Sequence, residues 1–327
     1  MIIGSIKEHT SLETRCALTP NVVKKLTQQG HQILLQENIG TKSNFSNKSY
    51  IDSGATLYNN PENIYTQSQI ILQISPPKTE LLEILNINQL LISDFSLFNF
   101  VATNPRPQIL RLEKVPRISV AQSIDILSSQ HTIRGYMGAM FGLFHSKCIA
   151  PQLITASTSL KPTSALIIGA SITGLQASTI FKRQGCKVTI LDINENNKEL
   201  AHSVGATFSS ANTKQDLISL IKDKNFILSA ASSNTNSPTI IYNELLNFLS
   251  SNPVIIDTTP NNIEISKNKQ ITSKYQFYRN LQFETLAPIT SSELWANNML
   301  NLINIITTSD NKLDFSTDYI SQMLYKG

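Results

Sequence analysis

The chain has 327 residues, 27 Lys and Arg against 23 Asp and Glu for a formal charge of +4, and 41% hydrophobic residues. That length is too great for one small core and suits two α/β domains; the positive surplus is spread too thinly for the basic stripe that nucleic acid or an acidic membrane demands, so neither is an expected partner. The longest apolar runs, such as Ile70 to Ile74 and Val254 to Ile256, fall far below the roughly 18 residues of a spanning helix, and no signal-peptide pattern opens the chain, so direct membrane insertion is not expected and a cytoplasmic location is.

In chain order, residues 2 to 6 form a short apolar strand. Thr19-Pro20 supplies a cap and a first-turn proline for a helix to Gln29, which Gly30 ends. Gln32 to Gln36 alternates as a second strand, Tyr50 to Ser53 is a short helix closed by Gly54, and Ile70 to Ile74 is a third, buried strand. Leu90 to Ser93 and Val115 to Ile118 are two further strand candidates. A long helix follows over about Ile124 to Lys147, whose Gly135, Gly138 and Gly142 suit close backbone packing. Residues 157 to 163 turn to Ser, Thr, Lys and Pro, which reads as an exposed connection between folding units. Beyond it come a strand from Ala165, a helix over Gly174 to Gln184, a strand over Lys187 to Leu191, a helix near Asn197 to Ser203, and strands at Phe226 to Ser229 and Val254 to Asp257. The closing helix, Ser291 to Thr307, carries Leu294, Trp295, Met299, Leu300, Leu302 and Ile305 and should pack back on a core. Alternating strands and helices argue for parallel sheets.

Cys16, Cys148 and Cys186 are scattered, lack CxxC spacing and leave one unpaired in any disulfide scheme, so they read as reduced thiols. The five histidines (His9, His31, His131, His145, His202) show no HxxxH spacing, so no metal is expected.

The stretch Leu166-Ile167-Ile168-Gly169-Ala170-Ser171-Ile172-Thr173-Gly174 turns a buried strand into a helix, the context of a dinucleotide fingerprint. Gly169 permits the tight turn, Gly174 lets helix and strand pack closely, and the helix start with its dipole receives a pyrophosphate. Ser171 stands where the middle glycine is usual, and its side chain is expected to crowd the phosphate. A lone pair of such glycines also arises from packing alone. Asp192, at the end of the next strand, is placed to accept from adenosine ribose hydroxyls and to repel a 2′-phosphate, which favours NAD(H) over NADP(H). An ordinary strand-end or capping aspartate is the alternative.

At this point the residues resemble the NAD(H)-binding soluble domain of the alpha subunit of proton-translocating nicotinamide nucleotide transhydrogenase and, more distantly, alanine dehydrogenase, over nearly the full length. The likeness includes Gly4-Ser5-Ile6-Lys7-Glu8, Glu13-Thr14-Arg15, Thr19-Pro20, Phe45-Ser46, Asp52-Ser53-Gly54-Ala55 and Thr290-Ser291-Ser292-Glu293-Leu294. Its most specific stretch is the run from Val115 to Ser129, followed by Gly135-Tyr136. The resemblance implies two Rossmann-like domains with parallel sheets and NAD(H) in the cleft between them. The first covers 1–125 and is completed by 288–327, the second covers 126–287, and a homodimer is implied. It gives Arg117, Gln122, Asp125 and Ser128 the task of holding the carboxamide and ribose of the nicotinamide. Gln and Ser can bond a carboxamide, and an Arg with an Asp nearby can orient one another.

The positions matching the substrate-binding Lys, catalytic His and catalytic Asp of alanine dehydrogenase are Gln73, Ser96 and Asn261, none of which carries charge or useful acid-base capacity near neutrality. Arg15 remains as a partner for a substrate carboxylate. Against the transhydrogenase pattern, the chain is much shorter between Phe208 and Phe226, where the family has an extended mobile loop, and lacks the paired glycines that usually follow Asp257. The leading expectation is a soluble alpha-type subunit that hands hydride from NADH to NADP+ on a membrane-anchored NADP(H)-binding partner, which would place it at the membrane periphery. The alternatives are an amino-acid dehydrogenase-like enzyme with a rearranged site, using Arg15 and His131, and a non-catalytic NAD-binding relic.

Overall fold

A computed structural model describes residues 1–96, 107–211, 213–231, 237–250, 252–280, 282–308 and 310–325. The chain divides into two compact units, Met1–Gln130 with Thr285–Gly327, and His131–Glu284.

The first unit is built on six parallel strands, β1 (Ile2–Ser5), β2 (Gln32–Gln36), β3 (Ala55–Tyr58), β4 (Ile70–Leu72), β5 (Leu90–Ser93) and β6 (Gln108–Arg111), in the order β3-β2-β1-β4-β5-β6. Both faces of the central strands are covered, which is why β4 and β5 read as continuous apolar runs. Ile33, Leu35, Ile70, Leu72, Leu90 and Ile92 point into one core, and Leu34, Ile71 and Leu91 into the other, the two-residue period of a strand. Helices α1 (Pro20–Gln28), α2 (Asn47–Asp52), α3 (Pro61–Gln67) and the single turn α4 (Thr79–Leu82) connect them. Thr19 occupies the N-cap of α1 in extended conformation but makes no capping bond, so the start rests on Pro20 alone. Strand β3 and helix α3, capped by the Asn60 side chain, are elements beyond those expected.

The stretch Val115 to Ile118 is not a strand. It links two 3-10 segments, Leu112–Lys114 and Ser119–Ile124, and Pro116 has no N–H to give a ladder; the edge strand is β6, just before it. Helix α5 (Ile126–His145) follows, and its glycines meet close neighbours: a Cβ on Gly135 would lie 2.3 Å from the Thr173 carbonyl oxygen.

In the second unit, an exposed hairpin of β7 (Leu153–Ile154) and β8 (Ser159–Leu160) leads into β9 (Ser164–Ile168). The polar stretch 157–163 is thus a limb of this hairpin, exposed through Lys161, and lies inside the second unit rather than between units. Then come α6 (Ile172–Arg183), β10 (Lys187–Leu191), α7 (Lys198–Ser203), β11 (Thr207–Ser209), α8 (Lys214–Ile221), β12 (Phe226–Ser229), β13 (Val254–Asp257), β14 (Lys269–Ile271) and β15 (Gln276–Arg279). The sheet order is β11-β10-β9-β12-β13-β15-β14, parallel except for the edge strand β14. Helix α8 fills the interval after Phe208 and starts at a reciprocal capping box between Thr213 and Asp216.

Helix α9 (Pro288–Ile306) returns to the first unit, where Trp295, Met299, Leu302, Ile303 and Ile306 join the core with Ile33 and Leu72, as its apolar pattern requires. The short α10 (Asp318–Ser321) ends the fold, with Ile320 and Met323 in the same core. Among the described residues, no helix is long and apolar enough to cross a membrane, no group of three or more His, Cys, Asp or Glu could hold a metal ion, and Cys16, Cys148 and Cys186 are free thiols.

Candidate functional site

The order in which strands are added to the second sheet reverses between the parallel neighbours β9 and β12, and ligands of open parallel sheets sit outside the carboxyl ends of the strands at such a point. The turn after β9 lies there. Gly169 has φ +96, and a Cβ on it would lie 2.7 Å from Ala231 Cα; a Cβ on Gly174 would lie 2.0 Å from the Gly169 carbonyl oxygen. Both positions exclude any side chain. At the start of α6 the N–H groups of Ile172 and Thr173 have no partner among the described residues, while the first turn carries no acidic side chain. Two unused amides at the positive end of a helix dipole are what an anionic pyrophosphate needs.

Ser171 does not crowd that position. It is the N-cap of α6, its hydroxyl accepting from the Gly174 N–H at 3.2 Å and donating to the Ala230 carbonyl at 2.9 Å. The side chain is turned into the protein, so the expectation of a clash with phosphate is corrected: the serine ties the turn to the end of β12. Asp192, half-buried after β10, accepts from Ala170 N–H at 2.7 Å and Asn194 N–H at 2.8 Å, one bond to each carboxylate oxygen. Each oxygen has a second lone pair for a hydroxyl. Thr173 donates its hydroxyl to the His131 carbonyl at 3.2 Å.

The nicotinamide candidates belong to the first unit. Asp125 accepts both the backbone N–H of Ser128, at 3.0 Å, and the Ser128 hydroxyl, closing the start of α5. Asp125 is buried and Ser128 half-buried, whereas Arg117 and Gln122 are exposed. Arg117 makes no ion pair among the described residues, so the mutual orientation of Arg117 and Asp125 does not occur; Ser128 orients Asp125 instead.

Arg15 is not available to a substrate carboxylate. Buried, it forms a two-pronged ion pair with Glu13 (2.7 and 2.6 Å), donates to the Gln130 carboxamide at 2.8 Å and lies over the Trp295 ring. Gln73 accepts the Tyr65 hydroxyl, Ser96 donates its N–H to Asp94 at 2.9 Å, and Asn261 is exposed.

Two groups carry signals that motif reading passes over. Asn262 is fully buried in the loop after β13. Glu8 accepts from Ile74 and Ser75 N–H at 2.8 and 3.1 Å beside a cavity of about 250 Å³ that Gln73, His9 and Lys78 also line. Burial, helped by the charge of Glu13, pushes the Glu8 carboxyl from 4.5 up to about 7, against the pull of those two N–H groups and of Arg15. The folded state therefore holds this proton more tightly than the unfolded state. The stabilisation is complete below about pH 4.5 and is lost as pH rises towards 7. Denaturant titrations at pH 5 and 8 are expected to show Glu8→Gln flattening this dependence by on the order of 2 kcal/mol, after screening of the partly solvated group; an unchanged slope would place the proton elsewhere.

The chain matches the family model "Alanine dehydrogenase/PNT, N-terminal domain" over residues 4–134 and "Alanine dehydrogenase/PNT, C-terminal domain" over residues 139–326. It belongs to the alanine dehydrogenase/PNT family. It is 25% identical to an NAD(P) transhydrogenase subunit alpha chain of Rickettsia prowazekii, covering 99% of this chain and 94% of that one. Among solved structures, it is similar to a transhydrogenase from Sinorhizobium meliloti, with a TM-score of 0.89 and 20% identity over 99% of this chain and 98% of that chain. An L-alanine dehydrogenase follows at a TM-score of 0.82 and 17% identity, over 99% and 94% of the two chains. These likenesses show the shared fold of two Rossmann-like, parallel-sheet units.

Proposed function

We propose that this chain is the NAD(H)-binding alpha-type subunit of a proton-translocating transhydrogenase and passes hydride from NADH to NADP+ held by a separate, membrane-anchored subunit. The observation that carries the reading is the turn 169–174, with the unused Ile172 and Thr173 amides and the fixed Asp192 carboxylate, in a chain similar almost from end to end to a transhydrogenase alpha subunit. The turn fits the dinucleotide, because its two glycines form a cradle that any Cβ would fill. Gly169, Ala170, Ser171, Ile172, Thr173 and Gly174 would hold the pyrophosphate and Asp192 the adenosine ribose. The family resemblance assigns the nicotinamide carboxamide and ribose to Arg117, Gln122, Asp125 and Ser128.

NADH, when bound, supplies the hydride. Transfer between two nicotinamide rings needs no general acid or base, so the protein's task is orientation and exclusion of water. The engagement of Arg15 with Glu13 speaks against an amino-acid dehydrogenase.

Fluorescence titration is expected to show NADH bound more tightly than NADPH by roughly 1 to 3 kcal/mol, with Asp192→Ala eroding the difference. In single-turnover transfer to NADP+ with the partner subunit present, Gln122→Ala should leave NADH affinity nearly intact and slow the step by on the order of 10²-fold. Firm NADH binding by the wild type with no transfer to a folded partner would sink the assignment in favour of a binding module.

A homodimer belongs to the same reading, with the partner subunit bringing the pair to the membrane periphery. Its support is the apolar surface of the second unit: Phe144 is 84% and Ile154 71% exposed, and Leu153 and Leu160 are exposed and paired across β7 and β8. Leu153, Ile154 and Leu160 share one exposed hairpin and Phe144 stands near the end of α5; exposed apolar surface of this kind is a mark of association. Ile154→Glu with Phe144→Glu is expected to sediment as a monomer at micromolar concentration; an unaltered sedimentation coefficient would move the contact elsewhere.

A further inference from the structure

Asn262 has no exposed surface, and its side chain and backbone carbonyl are spent on the segment that follows β12 and on that strand's last residue, while its N–H donates to the Thr259 hydroxyl of its own loop. Its carboxamide oxygen accepts from the Ser229 hydroxyl at 2.6 Å and from Ala231 N–H at 3.0 Å, and its amide nitrogen donates to the Pro238 carbonyl at 2.7 Å. Its backbone carbonyl accepts from Ile240 and Ile241 N–H at 2.8 and 3.0 Å. A buried carboxamide satisfied in this way resists displacement, because each lost bond leaves a desolvated donor or acceptor.

Residues 230 and 231, held by this side chain, are the ones that touch the nucleotide turn. The Ala230 carbonyl receives the Ser171 hydroxyl, which in turn caps Gly174, and Ala231 Cα stands where a Cβ on Gly169 would collide. The line of contact runs from Asn262 through Ala231 and Ala230 to Ser171 and the first turn of α6. A serine in place of a glycine is the condition for it, since only a hydroxyl can both donate to Ala230 and accept from Gly174.

We infer that Asn262 is a positioning residue for the pyrophosphate-binding turn: by holding the end of β12 it fixes Ser171, and through Ser171 the direction of the Ile172 and Thr173 amides. This rests on the reading of the turn as the NAD(H) site. It predicts a larger effect on ligands that carry the pyrophosphate than on adenosine, because Asp192 is placed by the end of β10 and meets the turn only at Ala170 N–H, ahead of Ser171.

The full chain is titrated with NADH, ADP-ribose and adenosine, and its melting temperature is recorded for each variant. Asn262→Ala is expected to raise Kd for NADH and ADP-ribose about tenfold and to alter that for adenosine by less than about twofold. Ser171→Ala should do the same, and the double variant should be no weaker than the weaker single one, because both break one line of contact. Asn262→Asp keeps an oxygen for Ala231 N–H, and while burial keeps its carboxyl protonated it can donate to the Pro238 carbonyl, so NADH binding is expected to return to within about threefold of wild type at low pH and to weaken as pH rises. Equal weakening of all three ligands, unchanged affinities in a folded variant, or additive losses would overturn the inference. If Asn262→Ala does not fold, Ser171→Ala and Asn262→Asp decide it by the same comparison. A wild type that binds adenosine but shows no gain for ADP-ribose would remove the pyrophosphate site itself, and the inference with it; a wild type that shows the gain while Asn262→Ala keeps it would remove the inference alone.

Discussion

Replacing Gly174 with alanine is expected to eliminate measurable NADH binding and to destabilise the second unit by about 2–4 kcal/mol. The added Cβ would sit 2.0 Å from the Gly169 carbonyl oxygen, a backbone atom that cannot move without carrying the turn with it. Helix α6 must then lift away from β9, which opens the packing of Ala177, Ile180 and Phe181 on the sheet and turns the Ile172 and Thr173 amides off their line. Gly30→Ala is the control. Gly30 has φ +86 but nothing within 4 Å of its would-be Cβ, so only the backbone cost of about 1 kcal/mol is expected there, with NADH binding intact. Denaturant unfolding and fluorescence titration of both variants separate collision from conformational strain; equal losses would show that the collision at Gly174 is relieved.

Arg279→Met should cost about 3–5 kcal/mol at neutral pH. The guanidinium bonds Asp257 at 2.9 Å and the carbonyls of Ile265 and Ile263 at 2.8 and 2.6 Å, so it fastens the loop after β13 to the end of β15. Asp257 is wholly buried; burial pushes its carboxyl up, and Thr259 and Arg279 pull it back. Without Arg279 the carboxyl rises further. The deficit of the variant is therefore expected to shrink as pH falls and the carboxylate takes up its proton, a sign that loss of packing alone would not produce. Chemical denaturation from pH 8 to pH 5 reads it, and a deficit constant across that range would assign the cost to packing.

What was legible in the sequence follows from burial. Strands β5, β12 and β13 stand where their apolar runs place them, because strands buried along their whole length have few polar positions to blur their ends, and β10 is found by the alternation of Val188 and Ile190 with Lys187 and Thr189. Strands β3, β11 and β14 lie at or next to sheet edges, carry short mixed patterns such as Thr207-Phe208-Ser209, and gave no run to find. Val115 to Ile118 misled in the opposite sense, since its apolar residues surround a proline and flank 3-10 turns. That Gly169, Gly174 and Asp192 meet at one turn was readable because their spacing is local. The direction of the Ser171 hydroxyl was not, and neither was Asn262, whose partners at Ser229 and Ala231 lie more than 30 positions upstream in a polar stretch without a motif. Asp125 carried both meanings at once, a helix-starting carboxylate and a candidate ligand, and its bond to Ser128 serves the first without removing the second.

The return of α9 to the first unit fixes an order of birth. Residues 131–284 form one uninterrupted unit and have all they need once they leave the ribosome, whereas residues 1–130 emerge first and wait for 285–327. During that interval Leu26, Ile33 and Leu72 lack Trp295, Met299 and Ile303 to cover them. The nascent chain is thus a continuous second unit led by an unfinished first one, and a ribosome that stops short of α9 releases a polypeptide with an open core for chaperones and proteases to sort.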